Sequence, residues 1–168
     1  MWPFRKRIQQ PKDHYVFISY TRREKEAREV LPLVEHITRT VRNAGYGLAL
    51  DDAAWWDVDR LGHRPYPEHE LREILIDAIN RSHSFTGLIS PQYCSSEWCR
   101  FEFDAARAKS LPKLLLWWRG PCERLRECEF IFYYNVTDVR DELARGDWEA
   151  IARRALDFLE LVRLARRP

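Results

Sequence analysis

A chain of 168 residues with 45% hydrophobic and 32% charged residues has the make-up of one soluble globular domain with one sizeable core, and this excludes a disordered chain. With 28 Lys and Arg against 26 Asp and Glu, the net charge of +2 requires no nucleic-acid partner. No apolar run approaches the roughly 20 residues that span a bilayer, and the start Met1-Trp2-Pro3-Phe4 is too short, with too polar a continuation, for a signal peptide.

Residues 1–12, rich in Pro, Arg and Gln, read as a basic tail, with the domain proper over 13–168. Basic residues cluster at both ends, in Arg5-Lys6-Arg7 and over 163–167. Solvated tails are the simplest reading; a membrane-surface or acidic-partner role is the other.

Tyr15-Val16-Phe17-Ile18-Ser19-Tyr20 is rich in β-branched and aromatic residues and predicts a buried first strand. Val30, Leu31, Val34, Ile37, Thr38 and Val41 then recur at helical spacing, with Asn43-Ala44-Gly45 as the helix C-terminus. Pro32 sits awkwardly there: the helix either begins near it or kinks at it. Gly47-Leu48-Ala49-Leu50 predicts a short second strand ending at Asp51-Asp52. The loop that follows, 51–67, is long and carries Trp55, Trp56, Gly62, Pro65 and Pro67; loops of this length inside a compact domain are usually functional.

A helix is expected from Pro67 or Glu68 to Asn80 with Leu71, Ile74, Leu75, Ala78 and Ile79 inward, followed by a third strand over 85–90. Ser95 or Ser96 caps a helix running to about Ser110. Residues 113–118 predict a fourth strand apolar on both faces, fully buried over 113–117, and 130–136 a fifth. Asp147 starts a last helix with Trp148, Ile151, Ala152, Ala155, Leu156, Leu159 and Val162 inward. Strand–helix alternation of this kind implies an α/β three-layer sandwich, flavodoxin-like, with a five-stranded parallel sheet in the order 2-1-3-4-5. Cys94, Cys99, Cys122 and Cys128 form neither a CxxC pair nor a zinc spacing, so no metal site is expected; all four read as reduced thiols in a cytoplasmic protein.

Ligands of open parallel sheets bind beyond the carboxyl ends of the strands. Those positions hold Ser19, Tyr20, Thr21, Arg22 and Arg23 after the first strand, Asp51 and Asp52 after the second, and Ser90 to Tyr93 after the third. Glu102 follows on the next helix, against a stripe of Trp98, Phe101 and Ala105 expected to face inward. A carboxylate there is unusual, because burying it unpaired is costly. Two readings stand side by side: a functional carboxylate, or a structural one that leans to solvent or pairs with an arginine such as Arg22. Glu97, in the first turn, is explained by the helix dipole.

Phe17-Ile18-Ser19-Tyr20 resembles the first box of TIR (Toll/interleukin-receptor) domains, and 48–62 resembles their second strand and BB loop. Ile89-Ser90-Pro91-Gln92-Tyr93-Cys94-Ser95-Ser96-Glu97-Trp98-Cys99-Arg100-Phe101-Glu102 resembles the S-x-x-Y-x-x-S-x-W-C-x-x-E stretch of plant and bacterial members. The resemblance spans about residues 13–165; the longer, tryptophan-rich loop over 51–67 and Trp117-Trp118 depart from the usual pattern. It implies a TIR fold and, because Glu102 occupies the position of the catalytic glutamate of enzymatic members, cleavage of NAD⁺ as substrate with no separate cofactor. Ser19, Tyr20, Arg22, Arg23, Asp51, Asp52, Trp55, Ser90 and Trp98 are the accompanying candidates for substrate binding. Tyr20 or a loop tryptophan would stack on a ring, and Arg22 or Arg23 would hold the pyrophosphate.

One carboxylate is chemically sufficient. The nicotinamide of NAD⁺ is already cationic and departs neutral, so no general acid is needed; what remains is to stabilise an oxocarbenium-like ribosyl centre. The acceptor then decides between ADP-ribose, a cyclic ADP-ribose isomer and a conjugate. The resemblance further implies self-association through TIR–TIR contacts and, as in bacterial antiphage defence, a downstream effector that senses a nucleotide product. A non-catalytic TIR adaptor is the alternative, and a nucleoside deoxyribosyltransferase-like enzyme a further one.

Overall fold

The computed structural model describes residues 14–22, 24–46, 54–55 and 67–166. The expected tail 1–12, the strand at 47–50, Arg23, Asp51, Asp52, Trp56 and most of the loop 51–67 lie outside them.

Five parallel strands form one sheet in the order β2-β1-β3-β4-β5. They are β1 (His14–Ser19), β2 (Ala54–Trp55), β3 (Ser82–Ile89), β4 (Lys113–Trp117) and β5 (Val136–Asp138). The helices are α1 (Glu24–Asn43), α2 (Glu68–Asn80), α3 (Pro91–Cys94), α4 (Glu97–Ala108), α5 (Arg140–Ala144) and α6 (Trp148–Ala165). Among the described residues, no helix is long and apolar enough to cross a membrane.

Strand alternation sorts the core into two layers. Val16, Ile18, Leu88 and Leu116 face α1 and α6, where Val30, Val34, Ile37 and Val41 meet Ile151, Ala152, Ala155 and Leu159. Phe17, Phe85, Ile89, Leu115 and Trp117 face α2 and α4. Phe17 and Phe85 are register partners, and their rings stack at 5.8 Å. The order of elements and both layers follow the expected pattern, but β2 (Ala54–Trp55) falls inside the stretch expected as the loop 51–67, where it pairs with Val16 and Phe17 of β1.

Local signals set the helix ends. The Asp147 carboxylate accepts from the Ala150 N–H at 3.1 Å and caps α6, and Gly45, at φ +91°, ends α1 in a left-handed conformation open to glycine. Pro32 lies inside α1 rather than at its start. Its ring and Arg28, whose carbonyl loses its helical donor, are both exposed, so that carbonyl lies on the outer side of the helix.

Four further expectations are corrected. The fifth strand is Val136–Asp138, not 130–136; Glu129–Ile131 instead forms a 3₁₀ turn. That turn sends Phe130 against Phe103 and Tyr93 and buries Ile131, while Tyr133 stays 92% exposed, so tertiary anchoring overrides the run's β-propensity. β4 is fully buried only in its last three residues, because Lys113 and Leu114 lie at the sheet's lower rim. Lys113 turns its ammonium out to the Leu111 carbonyl at 2.8 Å. The innermost stripe of α4 is Cys99, Glu102, Phe103 and Ala106, while Trp98, Phe101 and Ala105 are half-buried. Finally, Cys94 and Cys128 form a disulfide, with Cα atoms 5.0 Å apart. The pairing joins the end of α3 to the end of a 3₁₀ helix (Cys122–Glu127), two points that only the folded chain brings together. Reduced cysteines therefore no longer support the cytoplasmic reading.

Candidate active site

The sheet order changes direction between β1 and β3, and beyond their carboxyl ends lies a cleft of about 610 Å³. Tyr20, Thr21 and Arg22 from the end of β1 form one wall. Leu71 and Leu75 of α2 form an apolar side, and Ser95, Ser96, Glu97, Trp98, Cys99 and Glu102 line the third. The third wall forms because Ser90 and Ser96 cap two successive helices. Ser90 Oγ accepts from the Tyr93 N–H at 3.1 Å, and Ser96 Oγ from the Cys99 N–H at 3.2 Å. The chain thus turns sharply between α3 and α4, and Glu102 comes to lie over the end of β1.

Glu102 is 8% exposed. Ser19, the last residue of β1, donates its hydroxyl hydrogen to Glu102 Oε2 at 2.5 Å, and Ser19 Oγ lies 2.9 Å from the Tyr93 hydroxyl. Burial pushes the Glu102 carboxyl up to about 7, while the Ser19 hydrogen bond and the Arg22 guanidinium pull it back. Burial also drives the Tyr93 hydroxyl well above its ordinary range and raises the Cys99 thiol, so both remain protonated. Trp98 presents an indole to the cleft, and the Arg72 guanidinium lies 5.1 Å from its ring and 4.6 Å from that of Phe101.

Of the expected site residues, Ser19, Tyr20, Arg22, Trp98 and Glu102 are brought together. Ser90 is not: fully buried, it donates to Glu26 Oε2 at 2.8 Å while capping α3. Trp55 belongs to β2 opposite Phe17, and its side chain, like Arg23, Asp51 and Asp52, is outside the described residues. The sequence reading missed Leu71, Leu75 and Ser96 as walls, Tyr93 as the partner of Ser19, and Glu26 as a buried carboxylate. Arg119, which ion-pairs with Glu29, also approaches Glu26 Oε1 at 4.0 Å. Glu26 lies in a charged run from Arg22 to Glu29 that reads as a solvated helix face, so no sequence signal marked it.

A buried carboxylate at the switch point of a flavodoxin-like parallel sheet defines a class: a small α/β module with one prepared anionic group in an open crevice. The family model for the TIR domain matches residues 16–153, and the chain belongs to that family. Among solved structures, it is similar to the TIR domains of the activated Roq1 resistosome directly recognizing the pathogen effector XopQ. The identity is 18% over 86% of this chain and 98% of that one, with a TM-score of 0.57, so the two share the fold. No curated protein matches the sequence.

Proposed function

We propose that this TIR domain cleaves the nicotinamide–ribose bond of NAD⁺, with Glu102 as the catalytic residue. The observation that carries the reading is a carboxylate lined into an open cleft yet 8% exposed and hydrogen-bonded by a buried serine. A cleft of about 610 Å³ is in the range that takes a small ligand.

In this reading the cationic nicotinamide ribosyl group enters beside Glu102. The C–N bonding pair leaves with the nicotinamide, which departs neutral, and positive charge develops on the ribose. A carboxylate fixed beforehand by Ser19 stabilises that charge without reorganising, and because Glu102 is largely buried its attraction for the charge is stronger than in water. Tyr20 and Trp98 offer faces for ring stacking, and Arg22 offers a guanidinium for phosphate. Water as acceptor gives ADP-ribose; a nitrogen of the same molecule, or another nucleophile, gives a cyclic isomer or a conjugate. The biological setting proposed is bacterial antiphage signalling, with self-association completing the site. The Roq1 TIR domains act within a resistosome, which makes such assembly a natural expectation.

The test is nicotinamide release from NAD⁺ by the wild type, Glu102→Gln and Asp104→Asn, with a crowding agent to favour assembly. Asp104 lies on the same helix and pairs with Arg107 at 3.0 Å. The proposal expects a fall of about 10²–10³ for Glu102→Gln and near-normal release for Asp104→Asn. Full activity in folded Glu102→Gln would falsify it. A TIR domain acting through assembly alone remains the second reading, and it predicts no nicotinamide release under any of these conditions.

A further inference from the structure

We infer that Tyr93 is a positioning residue of this site: its hydroxyl donates to Ser19, so that Ser19 commits its single hydrogen to Glu102 and holds the carboxylate as an anion facing the cleft. The consequence for catalysis rests on the proposed role of Glu102; the hydrogen-bond chain does not.

A serine hydroxyl has one hydrogen and two lone pairs. Ser19 is 1% exposed and Tyr93 fully buried, so water does not compete for them. An ionised Glu102 only accepts. The Ser19 hydrogen must then lie on the 2.5 Å contact, and the 2.9 Å contact must be filled by the Tyr93 hydrogen. Each bond polarises the next, toward the anion. A neutral Glu102 draws less on the chain: with its hydrogen on Oε1, Oε2 accepts from Ser19 only as a carbonyl oxygen, and with its hydrogen on Oε2 it donates to Ser19, whose hydrogen then turns to Tyr93. The tyrosine therefore favours one protonation state of a group it does not touch.

Tyr93 is well held for this task. Its N–H is bound by Ser90, which is itself bound to Glu26, and the next residue, Cys94, is tied to Cys128. The other groups around Glu102 are accounted for. Arg22, beyond β1, favours the anion, and Cys99 on the same helix remains a thiol. Glu97 is exposed, Tyr20 lines the cleft mouth, and α2 contributes the uncharged Leu71 and Leu75. None of these substitutes for a donor to Ser19.

The experiment follows the Glu102 carboxyl by ¹³C NMR across pH, the signal being identified by its loss in Glu102→Gln. Tyr93→Phe should raise the titration midpoint by about one pH unit, the worth of a hydrogen bond supporting a charge. Ser19→Ala should raise it at least as much, and Tyr93→Phe/Ser19→Ala no further than Ser19→Ala alone. If Tyr93→Phe folds poorly, 3-fluorotyrosine at position 93, a stronger donor, should lower the midpoint instead. In NAD⁺ assays, Tyr93→Phe should be down about tenfold near pH 6 and recover toward wild type near pH 9, a rescue that a merely structural loss would not show. An unchanged midpoint in Tyr93→Phe or in the fluorotyrosine protein overturns the inference, as does a full additional shift on the Ser19→Ala background. Shifted midpoints in a protein that releases no nicotinamide would uphold the chain and sink the proposed reaction; nicotinamide release with unmoved midpoints would do the reverse.

Discussion

Glu102→Gln should make the protein more stable at neutral and alkaline pH while removing its activity. In the unfolded chain this carboxyl titrates at its ordinary 4.5; in the folded protein burial lifts it to about 7. Between those values the folded state holds a proton that the unfolded state has released, so stability falls as pH rises across that window. Above about pH 7 the whole penalty is present, about 3 kcal/mol at most for a shift of this size. Glutamine keeps the shape, can still accept from Ser19, and has no charge to desolvate. At pH 8 the variant should therefore melt higher by up to about 6–12 °C for a chain of this length, and the advantage should disappear near pH 4.5. The assay is a series of thermal or urea melts of both proteins from pH 4.5 to 8.5, with nicotinamide release measured on the same samples. A glutamine variant less stable than wild type at pH 8, or a difference that does not change with pH, would refute the account of Glu102 as a desolvated charge.

The same group sets the pH dependence of turnover: kcat/KM should rise with pH along a limb centred near 7, as Glu102 ionises in the free protein. The kcat limb should lie at lower pH, because a bound cationic ring favours the carboxylate; profiles of initial nicotinamide release check both. Reduction of Cys94–Cys128, or Cys94→Ser, should cost about 3–4 kcal/mol, the loop-entropy value for residues 34 apart in sequence, read as a drop in melting temperature with and without reductant. Gly120→Ala should lose about 1–3 kcal/mol in urea melts, because Gly120 adopts φ +98° and an added Cβ would lie 2.7 Å from Pro91 Cγ.

Much of the fold is legible in the sequence because alternation and helical spacing are themselves burial patterns. Val16 and Ile18 separate from Phe17 by strand period, Val30, Val34, Ile37 and Val41 line one helix face, and Asp147 and Gly45 mark ends through their own local chemistry. The run from Phe130 to Tyr134 misleads because its conformation is set elsewhere, by Phe103, Tyr93 and the disulfide at Cys128. Spacing alone likewise gave no sign of the Cys94–Cys128 pair. At the site, Glu102 is visible from its place beside an apolar stripe, though the innermost stripe is displaced by one position. Successive helical residues differ by only about 100° in direction, and the location of the sheet decides which neighbour faces inward. Ser90 was expected in the crevice because it follows a strand, but its hydroxyl is taken by Glu26 and the α3 cap. Tyr93 acts through Ser19, 74 residues away, a relation carried by no local pattern.

The energetics of Glu102 also bear on whether the domain is an enzyme or only an assembly module. A surface that works by docking to its own kind gains nothing from a charge kept in the base of a cleft, where it costs the fold about 3 kcal/mol at most above pH 7. Glutamine in the same place would accept from Ser19 and remove that cost. A carboxylate that weakens the protein is useful when a cation must be met there, since the desolvation that raises its proton affinity also strengthens its attraction for developing positive charge. Stability and turnover should therefore trade against each other at this one residue. An assembly module predicts the gain without the trade: Glu102→Gln should gain the same stability and self-associate with unchanged affinity, with no activity to lose. Sedimentation of the two proteins alongside the melts separates the cases, and a stabilised variant whose wild-type parent releases no nicotinamide even when assembled would leave only the docking role.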